Sequence, residues 1–286
     1  MIVQVILNAM VQTAICMIMA LGLTLIFGVM KIANLTHGAM YALGAFIHYS
    51  LIEWLGVPFV PALFIAALAA FGGGSVLERV FFRGTGDAPV VAIICGMGLS
   101  TILINVITNI WGAWPLRIQT PFSYVLKIGR SAIGLHNVVI IIVSISIAIL
   151  LYAFLKWTKF GCAVRGVSQD QEAAWLIGVN VNTVGLITFA LGTMLASIGG
   201  MLTAPITAAS PTMGGNAEIM GFAIIILGGM GSLGGAIVGA FLLGFVDTFV
   251  TTYVSGGYGG AVAFVFMIIV ILLKPSGLFG KKGRQI

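Results

Sequence analysis

The chain has 286 residues, of which 60% are hydrophobic and only 7% charged. A water-soluble domain carries roughly 45–50% apolar and about 25% charged residues, so seven acids and thirteen bases cannot solvate a chain of this length. A soluble enzyme and a soluble nucleic-acid binder are excluded, and the composition describes a polytopic membrane protein whose net charge of +6 belongs to cytoplasmic loops.

The apolar run from Ile2 to Val29 has no basic leader and is too long for the core of a signal peptide, so it reads as the first span. A crossing helix needs about 20 apolar residues. On that measure helices are expected near 2–29, 38–53, 58–78, 88–111, 135–155, 183–203, 217–230, 234–252 and 258–274. Breakers separate them at Glu53 to Pro58, Gly84-Thr85-Gly86-Asp87, Trp114-Pro115, Pro205 to Asn216, and Ser255-Gly256-Gly257. The stretch 217–252 is long enough for one tilted helix. It is divided here because the run Gly228 to Gly235 is a poor helix interior, each glycine costing about 1 kcal/mol against alanine.

Loop charge fixes the expected orientation. With nine spans and the N-terminus outside, the inner loops and tail hold Lys31, Arg79, Arg83, Lys156, Lys159, Arg165, Lys274, Lys281, Lys282 and Arg284. The outer loops hold only Arg117, Lys127 and Arg130. The expectation is an all-α bundle of about nine spans, N-out and C-in, forming one membrane domain over 1–286 with a cytoplasmic loop at about 156–180. Nine spans also permit an inverted repeat, four helices on each side of a linking fifth. Ala20-Leu21-Gly22 recurs as Ala190-Leu191-Gly192 at matching depth in the first and sixth helices.

Few polar residues interrupt the apolar runs. Asn34, Thr36 and His37 lie between the first two helices. Either they line the pathway or a gate, or Asn34 or Thr36 caps the second helix while His37 bonds backbone. Asp247 is the one acid placed well inside a span, a candidate pathway residue. Glu218, with Asn216, sits at a helix start that favours an anion. Gly229-Met230-Gly231-Ser232-Leu233-Gly234 fits GxGxxG, but its flanks are apolar helices and Asp247 comes too early for a dinucleotide fold, so it reads as a helix break. Gly235 and Gly239 form a GxxxG able to seat a neighbouring helix of this chain or of a partner.

In the longest inner loop, Ser168 with Gln171 makes a capping-box pattern, and Asp170 and Glu172 fall in the first turn. Trp175, Leu176 and Ile177 follow, and Gly178 stops the helix. Such a helix either rests on headgroups or docks in the groove of a cytoplasmic protein. Cys16, Cys95 and Cys162 are odd in number and far apart, which indicates neither a disulfide framework nor a metal site. There is no GxxxxGK[ST] and no catalytic array, so the chain reads as non-enzymatic and in need of a partner to drive it.

Four stretches together resemble the permeases of branched-chain amino acid ABC importers. They are Gly22 to Gly38, Thr158 to Asn180 (with Gly161, Arg165, Asp170, Ala174, Leu176 and Gly178), Leu227 to Ala236, and Lys274 to Gly280. The resemblance covers essentially the whole chain in the family's order. It implies a bacterial inner-membrane subunit paired with a second, related permease. Two cytoplasmic ATPases binding ATP and Mg would power it, and a periplasmic solute-binding protein would deliver the solute. No cofactor is then expected in this chain. The helix at about 169–178 becomes the coupling helix, with Arg165, Asp170, Glu172, Trp175, Leu176 and Gly178 its ATPase-facing residues. Leu35-Thr36 departs from the family's usual aromatic and small pair. Urea, short amides or aromatic acids therefore stand as alternative solutes, and a non-transporting scaffold or sensor as the rival class.

Overall fold

The computed structural model describes residues 2–85, 88–129, 131–254, 259–274 and 277–280. Arg130, Gly86-Asp87, the breaker at 255–257 and the basic tail from Lys281 lie outside the described residues. The elements in order are α1 (Ile2–Met30), α2 (His37–Glu53), α3 (Phe59–Leu77) with a π-helical turn at Glu78–Phe82, and α4 (Pro89–Trp111). A hairpin of β1 (Val125–Ile128) and β2 (Ser131–Gly134) precedes α5 (Leu135–Trp157), α6 (Lys159–Gln169) and α7 (Gln171–Leu176). Then come α8 (Val181–Thr207), α9 (Met213–Gly228), α10 (Leu233–Tyr253) and α11 (Gly259–Leu273).

The chain is an all-α polytopic membrane protein apart from that small antiparallel hairpin, which the sequence reading missed. Every expected segment is a helix, and 6 are long and apolar enough to cross a membrane. α2, α9 and α11 are shorter, at 17, 16 and 15 residues. At 1.5 Å per residue α2 and α9 reach only about 25 Å, short of a hydrocarbon core of about 30 Å. The break between α9 and α10 falls where the glycines predicted it. Gly229 and Gly231 take φ of 98° and 82°, conformations that only glycine adopts cheaply.

α1 and α8 form the buried centre, while α3, α4 and α5 turn most of their side chains outward. The two central helices cross at Gly22 and Gly192. A Cβ on Gly22 would stand 2.8 Å from the Gly192 carbonyl oxygen, and a Cβ on Gly192 2.9 Å from that of Gly22. The backbones approach this closely because neither residue has a side chain. Ile18 lies by Gly199 and Ile26 by Gly192, so the two helices run antiparallel.

The surrounding packing repeats itself. α10 and α9 pack on α1, as α3 and α2 pack on α8, and α2 meets α4 as α9 meets α11. Exchanging α1–α4 with α8–α11 reproduces each of these pairs. Lys31 and Ala208, the residues just past α1 and α8, are the two non-glycine residues with positive φ among the described residues, at 55° and 69°. Such residues are rare because Cβ crowds the backbone.

After each of these bends the chain folds back. The segment after α1 re-enters the bundle: the Nε2 of His37 lies 2.8 Å from the Cβ position of Gly22, eight residues and about 12 Å back from the end of α1. α9 begins beside α2, with Gly38 and Gly214 each packed on the other's carbonyl. α2 then follows α8: Tyr41 packs against Gly200, and His48 meets the Phe59 carbonyl beside His136, whose ring bonds the Leu202 carbonyl. α9 follows α1, Gly221 against Met19 and Leu23. Since α1 and α8 are antiparallel, α2 and α9 leave their shared origin in opposite directions, N-terminus to N-terminus.

Candidate functional site

Asn34, Thr36 and His37 meet at this junction, each 1% exposed or less. The Oδ1 of Asn34 accepts from the Thr36 N–H at 3.1 Å, and the Thr36 hydroxyl donates to the Gly96 carbonyl of α4 at 3.2 Å. Neither side chain caps α2, contrary to one of the two sequence-based readings, because the Thr36 hydroxyl is drawn to α4 instead. The His37 ring turns toward the Met19 carbonyl of α1, the kind of backbone contact expected of it. The Nδ2 of Asn34 and the Oε1 of Glu218 lack a hydrogen-bond partner. Glu218 does not sit in the first turn of its own helix. From the second turn of α9 its carboxylate lies over the start of α2, Oε2 2.8 Å from the Cβ position of Gly38, where the α2 dipole favours an anion.

Asp247 stands apart from that cluster. It faces α1 from α10, and its Oδ2 accepts from the Nε2 of Gln12 at 3.2 Å. Both border a cavity of about 800 Å³ walled by α1, α5, α8, α9, α10 and α11, with Tyr41 of α2 at one side. Gln12 was not recognised from sequence, since an isolated glutamine in an apolar run signals nothing without its partner.

The glycine break is built into the same frame. Gly235 packs on Gly228 and Gly239 against the Ile224 carbonyl, so the GxxxG seats α9 of this chain. The Ser232 hydroxyl caps α10 by accepting from the Gly235 N–H at 3.1 Å, while Gly234 faces open space. The carbonyls of Leu227 and Gly228, left over at the end of α9, accept from the N–H groups of Leu278 and Phe279 at 2.8 and 3.0 Å.

The loop between α5 and α8 folds as two helices. The Thr158 hydroxyl caps α6 by accepting from Gly161 N–H at 2.9 Å. The expected capping box at Ser168 is not formed. Ser168 lies inside α6 and its hydroxyl donates to the Arg165 carbonyl, while Asp170 caps α7 by accepting from the Ala173 N–H at 3.0 Å. Gly178 ends the segment at φ 89° as expected. Arg165 and Glu172 are exposed. Trp175, Leu176 and Ile177 are 68%, 76% and 81% exposed, an apolar patch with no cover from this chain. Gln171 donates from its Nε2 to the Val29 carbonyl at 2.8 Å, tying the start of α7 to the last turn of α1.

The family described as branched-chain amino acid transport system / permease component matches residues 5–271. The chain belongs to this family. It is an integral permease component of the inner membrane, and relatives named as permeases match it along most of their length. The high-affinity branched-chain amino acid transport system permease protein LivH of Escherichia coli K12 is 27% identical over 92% of this chain and 91% of the relative. The corresponding protein BraD of Pseudomonas aeruginosa is 29% identical with the same coverage. The ribose import permease protein RbsC of E. coli K12 is 27% identical over 93% of this chain and 84% of the relative. Among solved structures, PsaBC from Streptococcus pneumoniae in complex with Fab shares the fold of the permease. The TM-score is 0.53 and the identity 16%, covering 95% of this chain and 92% of that one.

Proposed function

We propose that this permease is one of two related membrane subunits of an ATP-driven importer for branched-chain and other hydrophobic amino acids. Two cytoplasmic ATPases carry the ATP and Mg, a periplasmic binding protein delivers the solute, and this chain supplies half of the pathway. The amino-acid reading is supported by the family and by the names of LivH and BraD. The chain is taken as one membrane domain crossing nine times, N-out and C-in, with the two sets of four helices forming an inverted repeat. The exchangeable packing of α1–α4 and α8–α11 supports the repeat, and the loop charges support the orientation.

The observation that carries the mechanism is the Gln171 bond to Val29 beneath an uncovered apolar patch. A groove on the ATPase takes Trp175, Leu176 and Ile177, and closure of the ATPases pushes α7. The push passes to the end of α1 and, through the Gly22–Gly192 crossing, to α8. α2 and α9, which reach only part way across, then rock about their common origin. Unpaired buried polar groups cost about 1–3 kcal/mol each. The unpartnered atoms of Asn34 and Glu218 therefore mark a junction whose groups find partners in another state of the cycle. Uptake of labelled leucine by vesicles carrying the complete complex, with ATP enclosed on the ATPase side, tests the proposal. ATP-dependent accumulation is expected; accumulation of urea or a short amide in place of leucine would contradict the solute assignment.

A further inference from the structure

The cavity beside Asp247 has a chemistry of its own. One carboxylate oxygen of Asp247 accepts from Gln12. Among the described residues no lysine, arginine or histidine lines the cavity, so none of them offers the carboxylate a cation there. A carboxylate at membrane depth is costly unless it meets a positive group or a water-filled pathway. The same walls bring in the side-chain amides of Asn137 and Asn216, neither of which makes a side-chain hydrogen bond among the described residues. Asn216 lies in the first turn of α9, where the helix dipole favours a negative charge. Much of the remaining wall is apolar, including Ile15, Met19, Met220 and Phe264. About 800 Å³ lies within the range of about 300–1,000 Å³ usual for small-molecule sites, which are apolar cavities with a few placed polar groups.

We infer that this cavity is a transit site for the zwitterionic head and aliphatic tail of an α-amino acid. Asp247, held by Gln12, receives the α-ammonium. Asn137 and Asn216 receive the α-carboxylate, and Ile15, Met19 and Met220 hold the hydrocarbon side chain. A neutral amide or a sugar would leave the Asp247 charge without a counterpart. A metal ion would find too few ligands, since no group of three metal-binding side chains exists among the described residues. The inference rests on the amino-acid importer reading and adds the groups that recognise the solute.

The test is ATP-driven uptake by the complete complex in proteoliposomes at saturating binding protein, with retention of both ATPases as the check on assembly. Asp247→Asn is expected to lower the leucine rate at least tenfold, and Asp247→Glu to keep a third or more of it. Met220→Trp, which narrows the apolar wall, is expected to lower leucine uptake at least fivefold more than alanine uptake, a ratio that a purely structural residue would leave unchanged. Should Asp247→Asn fail to assemble, that leucine-to-alanine ratio decides. Leucine uptake by the unaltered complex, with assembled Asp247→Asn within twofold of it or with the ratio unmoved in Met220→Trp, overturns the site and leaves the importer reading standing. No uptake of any α-amino acid by the unaltered complex overturns both.

Discussion

Gly22 of α1 and Gly192 of α8 each leave room for the other's carbonyl. The space at Gly22 also holds the His37 ring, so a single missing side chain permits both the helix crossing and the re-entry of α2. Gly22→Leu should force these three groups apart, at a cost of about 1–3 kcal/mol for overpacking. A lower thermal midpoint of the purified chain in detergent is the expected readout. Gly234→Ala is the matched control, because a Cβ there meets nothing, and its midpoint should equal or exceed that of the unaltered chain. Equal midpoints for Gly22→Leu and the unaltered chain would contradict the close crossing. The repeated Ala-Leu-Gly triplet hinted at this pair, yet only the fold shows that the two glycines meet.

At the scale of elements, helix boundaries were largely legible because glycine, proline and polar clusters punctuate an otherwise continuous apolar sequence. The half-length character of α2 and α9 was not. It depends on Gly38 and Gly214 meeting across 176 positions of sequence, which no local pattern encodes. The capping of α7 shows a different limit. Ser168 and Asp170 both suit a cap, and the choice fell to Asp170 because α6 continues through Ser168. The Gln171 bond was equally hidden, although its acceptor follows from geometry, Val29 being among the last carbonyls of α1 with no partner inside the helix. Gln171→Leu removes that bond, worth about 0.5–1.5 kcal/mol. It should leave both ATPases bound while lowering the leucine accumulated per ATP hydrolysed severalfold. Unchanged stoichiometry of transport to hydrolysis would show that α7 and α1 move independently.

Over the whole molecule, two antiparallel sets of helices share the α1–α8 crossing, with α5 to α7 linking them. The composition made the membrane legible, and the order of motifs made the family legible. The cavity at Asp247 and the N-to-N junction were not, because they arise from residues of several helices that are unremarkable one at a time. In the proposed mechanism force enters at one place, the uncovered patch on α7. The most direct test of the account is therefore Leu176→Asp in the full complex, with ATPase retention and leucine uptake measured together. Burial of one leucine is worth about 1.5–3 kcal/mol, or roughly 10- to 100-fold in affinity. The account predicts loss of the ATPases, or hydrolysis without uptake. Retention of both ATPases with uptake at the unaltered rate would contradict it and leave α7 as a helix resting on the membrane surface.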